Sequence, residues 1–537
     1  MRSLLQILES RTARVPEKIA FTFFNEPPCT FSHLWRQINR CASFLLRGGL
    51  QYQQPVVVAI ANSPQFFYAF YGVQRGGGIA VPIFPGSGPE RTIKLANLCG
   101  AAVIMISRTF PQDKIQLLKQ QAAESGRKVL VVEDAVSADG RQDSRLSLPD
   151  IRPRDTALIQ FTSGSTGSPR GVVISQANII TNLEQMITGM EITGRDVFVS
   201  WLPVYHDMGL ILMTMVPFYL GIDLTVLPTG LNHLKTWLQT IGQRRATFTA
   251  APDFAYRLCL IYIRDPEHYD LSSLRVALNA AEPVRATTIR RFEERFRLQN
   301  VMLPAYGLAE ATVGVCSHKP GKKIKVDRRG CVSVGSPFPD VRMRIGGGDI
   351  SDRAAAPGQV GEIWVKSTAN TAGYYHNPAA AKALFAGGGY IRTGDLGYRD
   401  VEGDYYIVGR KKNIIIQGGF NIAAREVEEW VDTLAFVRRS AAVGIDRGGA
   451  EGEQAYIFIE VNVNRSRLQE EETFTDIIIE VVGQFKQTFG FPPGRVYLLK
   501  PRAIPLTANG KIKYPQLKEH YLNGSLRANG LILFPHY

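Results

Sequence analysis

Residues 161–175 read FTSGSTGSPRGVVIS, and this run limits the possible folds more than any other part of the chain. Thr162, Ser163, Ser165, Thr166 and Ser168 supply short hydroxyls, while Gly164, Gly167 and Gly171 permit backbone turns closed to other residues. Such a loop can aim amide N–H groups at an anion, and Arg170 adds a fixed positive charge. Residues 157–161 and 171–175 read as strands, so the expectation is a phosphate-cradling loop between two strands, with a nucleotide as ligand. Spacing excludes the commoner loops. The fifth residue after Gly164 is Pro169, where a Walker loop has glycine, and the dinucleotide fingerprint and the GxSxG elbow also fail. A solvated Ser/Gly linker is the bland alternative; the flanking strands and the terminal cation argue against it.

The chain has 537 residues, 45% of them apolar, enough for a large core and for two or more domains. Six scattered cysteines show neither CxxC nor His/Cys spacing, which leaves no zinc motif or disulfide framework and fits a reducing cytoplasm. No signal-peptide core opens the sequence. The longest apolar stretch, 208–227, contains Pro217 and Asp223, too interrupted for a transmembrane segment; it reads as a buried helix followed by a core strand. The net charge of +14 suits acidic partners, but no basic cluster interleaved with aromatics points to nucleic acid.

Short apolar strands alternate with amphipathic helices through most of the first four hundred residues, for example at 55–61, 101–106 and 128–132, the pattern of layered α/β architecture. The polar stretches 133–155 and 464–476 read as a surface connection and an internal loop. After a strand at 405–408 comes GRKKN, 409–413, then a new strand at 414–416. In 423–434, Val427, Trp430, Val431 and Leu434 recur at helical spacing opposite Arg425, Glu428, Glu429 and Asp432. A small α+β unit begins there.

Together with the loop at 161–175, five further stretches resemble the adenylate-forming (AMP-binding) superfamily, in the same order over nearly the whole chain: WLPVYHDMGL (201–210), NAAEPV (279–284), YGLAEAT (306–312), GEIWV with YIRTGDLG (361–365, 390–397), and GRKKNIIIQGGFNIAAREVE with PLTANGKIKY (409–428, 505–514). The resemblance implies a large N-terminal multi-subdomain α/β domain over 1–409, a hinge at 410–413 that includes Asn413, and a small mobile C-terminal α+β domain over 414–537. It implies ATP and magnesium as cofactors: a carboxylate attacks the α-phosphate of ATP and pyrophosphate leaves, so the site must gather anions and spread their charge.

On this resemblance the loop residues Thr162, Ser163, Gly164, Ser165, Thr166 and Gly167, with Arg170, hold the leaving phosphates, and Thr166 and Glu310 are the magnesium contacts, since a hard cation takes oxygen ligands. Asn279, Ala280, Ala281 and Glu282 form the adenine-side turn, and Tyr306 with Gly307 stacks adenine. Asp395 accepts the ribose hydroxyls and Arg410 reaches ribose or phosphate. Lys511 is the lysine whose ammonium meets the acyl carboxylate and α-phosphate, and His206 gates the acyl carboxylate. Trp201, Met208, Gly209 and Ile211 belong to the acyl pocket, although Ile211 and its apolar neighbours serve equally well as core by periodicity alone.

Within the superfamily, WLPVYHDMGL and YGLAEAT look most like fatty acyl-AMP ligases. The expected reaction is activation of a fatty or related carboxylic acid and transfer to the phosphopantetheine thiol of an acyl carrier protein. The alternatives are an acyl-CoA synthetase using free CoA and, in another class, an adenylate-binding protein without catalysis. Three departures bear on the choice: Arg170 stands where the family has lysine, Asn413 where the hinge usually has an acid, and Ala424 where a proline is usual. Only 25 positions separate Glu310 from Gly335, so the extra segment that fatty acyl-AMP ligases carry there is short or missing.

Overall fold

The structure, a computed structural model, describes residues 3–137, 148–162, 169–328, 330–346, 355–417, 420–434, 436–446, 452–461, 471–507 and 510–535. It divides into two compact units. The first comprises Met1–Arg344, Trp364–Thr393 and Glu402–Tyr405; the second comprises Ile345–Ile363, Gly394–Val401 and Tyr406–Tyr537. The strands Arg342–Gly346, Gly361–Lys366, Ile391–Arg399 and Tyr405–Arg410 form a four-stranded sheet in that order.

The first unit contains two larger sheets. One has six strands in the order Lys128–Val131, Val103–Ile106, Pro55–Val58, Ile79–Pro82, Thr156–Thr162 and Arg170–Ser175. Its first five strands run parallel, and the central ones are continuous Val/Ile-rich runs because both faces are covered. Val57, Val81, Ile104, Ile106, Leu95 and Leu118 share one core cluster there. The last strand runs antiparallel to its neighbour, with Thr162 facing Arg170.

The other sheet has nine strands, and its neighbours run parallel from Met302–Gly307 through Val276–Asn279, Phe248–Ala251, Val197–Ser200 and Asp223–Val226 to Ile19–Phe23. Ser200 lies opposite Val226, Ala251 opposite Asn279, and Asn279 opposite Pro304. This register brings the segments following residues 200, 251, 279 and 305 to one edge, outside the carboxyl ends of the strands, where open α/β sheets bind ligands. The apolar stretch 208–227 forms a π-helix at Met208–Met215, a short helix at Val216–Leu220 and the strand Asp223–Val226.

In the second unit, Val437–Asp446, Glu453–Val461, Arg495–Leu499 and Ile532–Phe534 form a four-stranded sheet in that order, beside a hairpin of Ile414–Gln417 and Phe420–Ala423. Alternation along Glu453–Val461 fills two cores. Ile457 and Ile459 pack with Val427, Val431, Ile477, Val481 and Phe485, whereas Tyr456 and Phe458 pack with Tyr497, Leu499, Leu517 and Leu526.

Two polar stretches differ from the expected loops. Within 464–476 a helix begins at Glu471 and runs to Phe489, because Phe474, Ile477 and Ile478 lie among the acids and pack on the sheet. Within 133–155, Val132–Ser137 is helical, anchored by buried Val132 and Ala135.

At the ligand edge a buried carboxylate organises the chain. Asp253, 1% exposed, accepts hydrogen bonds from Asn279 Nδ2 at 3.0 Å, Arg285 N at 3.2 Å and Thr288 Oγ1 at 3.1 Å, and it pairs with Arg257 at 3.2 Å. Removing one member of such a buried charged group typically costs about 3–5 kcal/mol. Asp253→Ala is therefore expected to lower the urea midpoint of unfolding strongly, while Asp253→Asn, which keeps an acceptor oxygen, loses less.

Candidate active site

The two strands expected to flank the phosphate loop meet at Thr162 and Arg170, with Thr162 Oγ1 3.5 Å from the Arg170 carbonyl. Ser163, Gly164, Ser165, Thr166 and Gly167, together with Ser168, lie outside the described residues. A strap at 367–375 runs beside the returning strand. Val173 N donates to Gly373 O at 3.1 Å and Tyr375 N to Gly171 O at 2.7 Å, with Val172 and Tyr374 bridged between them. The same strap holds the acidic motif, since Thr371 N donates to Glu310 O at 2.8 Å and Thr312 Oγ1 to Ala369 O at 2.6 Å. Thr312 takes φ +71, an uncommon conformation for a β-branched residue, directly after Ala309–Ala311.

Tyr374 links the cation to the carboxylate. Its hydroxyl donates to Glu310 Oε1 at 2.8 Å, and the Arg170 guanidinium lies 5.5 Å from its ring centroid. Burial, and then the Glu310 charge, push the Tyr374 phenol well above its usual range, so it stays protonated and a donor at neutral pH. Sequence reading missed this residue. The available signal was Gly373, φ +139, whose added Cβ would lie 2.9 Å from Ala381 Cβ, immediately before the tyrosine.

The segment 201–211 leaves the carboxyl edge of the nine-stranded sheet, pinned by the buried amide of Asn62. Asn62 Nδ2 donates to Leu202 O at 2.8 Å and Leu227 O at 2.9 Å, while Oδ1 accepts from Val204 N at 2.9 Å. Trp201 packs on Trp237 with centroids 5.4 Å apart, and its buried indole nitrogen has no hydrogen-bond partner among the described residues. His206 is half-buried against the ring of Tyr205, whose phenol burial pushes up to about 12. Asp207 Oδ1 accepts from Met208 N at 2.8 Å to start the π-helix, a form that often marks functional sites. Met208, Gly209 and Ile211 are all buried. A Cβ on Gly209 would meet Pro203 O at 2.2 Å, which explains the glycine.

Along the same edge, Asn279 is fully buried, with Oδ1 unpartnered among the described residues and Nδ2 held by Asp253. Ala280 is buried, Ala281 turns at φ +69, and Glu282 accepts from Phe254 N. Tyr306 is half-buried at a register shift, and Gly307 passes so close to Val313 O that a Cβ would lie 1.7 Å away. The first unit thus gathers Thr162, Arg170 and Glu310 through Tyr374, and Trp201, Asn279 and Tyr306 along one sheet edge.

In the second unit, Asp395 is buried in its strand, with Arg410 Nε 2.6 Å from Oδ1. Asn413 ends the short helical turn Lys411–Asn413. Lys511 is exposed on a tight loop, where its N–H donates to Thr507 Oγ1 at 3.1 Å and its carbonyl accepts from Thr507 N at 2.8 Å. Tyr514 anchors that loop by donating to Glu428 Oε2 at 2.9 Å, while Glu428 Oε1 accepts from Ala442 N at 2.9 Å.

Residues 8–375 match the model of the AMP-binding enzyme family, and the chain belongs to that family. A Mycobacterium tuberculosis protein named fatty-acid–CoA ligase fadD25 is 29% identical, the match covering 97% of each chain. The medium-chain-fatty-acid–[acyl-carrier-protein] ligase TtuA of Teredinibacter turnerae is 27% identical over 93% of this chain and 90% of its own. A solved structure from studies of fatty acyl-adenylate ligases of E. coli and L. pneumophila superposes with TM-score 0.85 at 25% identity, covering 98% of both chains.

Among the described residues no cluster of three or more His, Cys, Asp or Glu could hold a metal. Glu310 nevertheless fits magnesium: Tyr374 occupies one carboxylate oxygen, and Mg²⁺ is usually held by one or two carboxylates plus substrate phosphates and water.

Asn62→Ala would leave Leu202 O, Leu227 O and Val204 N without this partner, at about 1–3 kcal/mol for each buried group left unsatisfied. The expected result is a lower unfolding midpoint, with a KM for the acid raised more than the KM for ATP, measured by pyrophosphate exchange.

Proposed function

We propose that this enzyme activates a fatty or related carboxylic acid as its acyl-adenylate and passes the acyl group to the phosphopantetheine thiol of an acyl carrier protein. The observation that carries the first half is the cation and carboxylate held across Tyr374 beside the strands expected to flank the phosphate loop, in a chain of the AMP-binding family. The acid's carboxylate oxygen attacks the α-phosphorus, and the bond to pyrophosphate breaks. Arg170 and the loop amides hold the departing phosphates; Tyr306 and the turn from Asn279 to Glu282 take adenine; Asp395 and Arg410 take ribose. His206 and Trp201 stand at the acyl entrance. Magnesium, held by Glu310 and Thr166, would neutralise charge on the phosphate oxygens. The thiol then attacks the acyl carbon and AMP leaves.

Fatty acid as substrate class is supported by the names of the relatives, and a carrier as acceptor by TtuA in particular. Free CoA is the second reading, favoured by the fadD25 name and by the short stretch between Glu310 and Gly335. No helix among the described residues is long and apolar enough to cross a membrane. Cys29, Cys41, Cys99, Cys259 and Cys316 are buried free thiols, as suits a reducing cytoplasm, where we place the reaction.

We assign the mobile domain to residues 414–537, turning about 410–413. Lys511→Ala should lose about a hundredfold to a thousandfold in pyrophosphate exchange, the usual cost of removing one preorganised donor. ATP binding should survive, and near-normal exchange would take Lys511 out of the mechanism.

The acceptor is decided by thioester formed per minute with holo carrier or CoA at matched concentration. The +14 net charge favours an acidic protein surface. Transfer to carrier should be faster, and should slow as salt rises, because charges more than about 8–10 Å apart are screened at physiological ionic strength. Efficient acyl-CoA synthesis without acylated carrier would move the enzyme to the acyl-CoA synthetases.

A further inference from the structure

Tyr374 does more than bridge two elements of the site; it stands between two opposite charges that would otherwise attract each other. Arg170 lies over its ring and Glu310 accepts from its hydroxyl. Among the described residues, Tyr374 is the one hydrogen-bond donor to the Glu310 carboxylate, and no ion pair joins Glu310 to Arg170. A guanidinium is a rigid fork matched to a carboxylate, so an arginine at this position has a stronger tendency to close on a nearby glutamate than the lysine usual in the family. Closure would remove both groups from nucleotide binding at once.

We propose that Tyr374 is a positioning residue that keeps Arg170 and Glu310 apart, reserving the guanidinium for the outer phosphates and the carboxylate for a hard divalent cation. Two features suit it to this. The ring face attracts a cation through its quadrupole without cancelling the charge. The hydroxyl orients the carboxylate as a neutral donor and leaves Glu310 Oε2 to a metal.

The strap makes the placement rigid. Gly373 O and Tyr375 N, on either side, both bond to the returning strand, and Thr371 ties the strap to Glu310 O. The phenol therefore enters between the charges from a fixed backbone and is not a mobile surface side chain.

This inference rests on the adenylating reading, and its test separates the two. Binding of a non-hydrolysable ATP analogue to the full chain is followed by calorimetry across a magnesium titration and in excess EDTA, with the melting temperature and the KM for the acid as controls. Tyr374→Phe keeps the ring but lets Glu310 turn; it should raise the magnesium needed for half-maximal binding about tenfold, the worth of one hydrogen bond to a charged group. Metal-free analogue affinity, melting temperature and acid KM should stay unchanged. Tyr374→Ala also removes the ring, so Arg170 closes on Glu310 and metal-free affinity falls as well. A magnesium dependence in Tyr374→Phe equal to wild type overturns the inference, as does a variant in which all the readouts fall together, the mark of a merely structural role. A wild-type chain with no metal-dependent nucleotide binding overturns the adenylating reading and this inference with it.

Discussion

The geometry of the first unit depends on the bonds of one buried threonine. Thr371 donates through its backbone to Glu310 O at 2.8 Å, and its hydroxyl, with one proton to share, lies 2.5 Å from Val173 O and 2.9 Å from Gly373 O. Val173 belongs to the last strand of the six-stranded sheet, and Glu310 follows a strand of the nine-stranded one. Each sheet has its own register and core, so nothing within either fixes the distance from the strand pair at Thr162 and Arg170 to the acidic motif. The strap fixes it. Preorganisation of this kind is what electrostatic stabilisation of a phosphoryl-transfer step requires, because charges that must first rearrange lose part of the benefit.

The same logic appears at the carboxyl edge of the nine-stranded sheet, where connecting segments leave the regular hydrogen-bond ladder. Their backbone groups need other partners, and buried polar side chains supply them: Asn62 for 202–204 and Leu227, Asp253 for Asn279 and Arg285. A carboxylate as buried as Asp253 is tolerable because it meets an amide, a hydroxyl, a backbone N–H and a guanidinium. Neither residue belongs to a recognised stretch of sequence. Both set the positions of residues that do.

This explains how far the sequence could be read. The paired strands, the α/β layering and the family were legible because they rest on local pattern: Val/Ile-rich runs between turns, glycines where backbones approach closely, motif residues in fixed order. Trp201, Asn279 and Tyr306 could be named from their motifs, but their sharing of one sheet edge comes from strand register, which no local pattern encodes. Tyr374 was missed because its importance lies in contacts with residues 204 and 64 positions away, Arg170 and Glu310. The helix Glu471–Phe489 was partly misread for a simpler reason: a polar run hid Phe474 and Ile477, whose burial on the sheet outweighs the loop-like composition around them.

The second unit shows what holds Lys511, the residue proposed for the first half-reaction. Its loop is tight. Thr507 brackets Lys511 through both backbone and side chain, Leu506 bridges Ile512, and three residues on Tyr514 is fastened to Glu428, whose other oxygen holds Ala442 N. Loosening that loop would expose or orphan a buried carboxylate, a costly way to displace one ammonium group. The stretch from Arg410 to Asn413 forms a single short turn whose cations are exposed; Arg410 pairs with Asp395 at 2.6 Å and Lys411 with Glu362 at 3.6 Å. The loop therefore holds the lysine in a fixed attitude to its own sheet, and a displacement of Lys511 has to carry that sheet with it rather than unfold the loop.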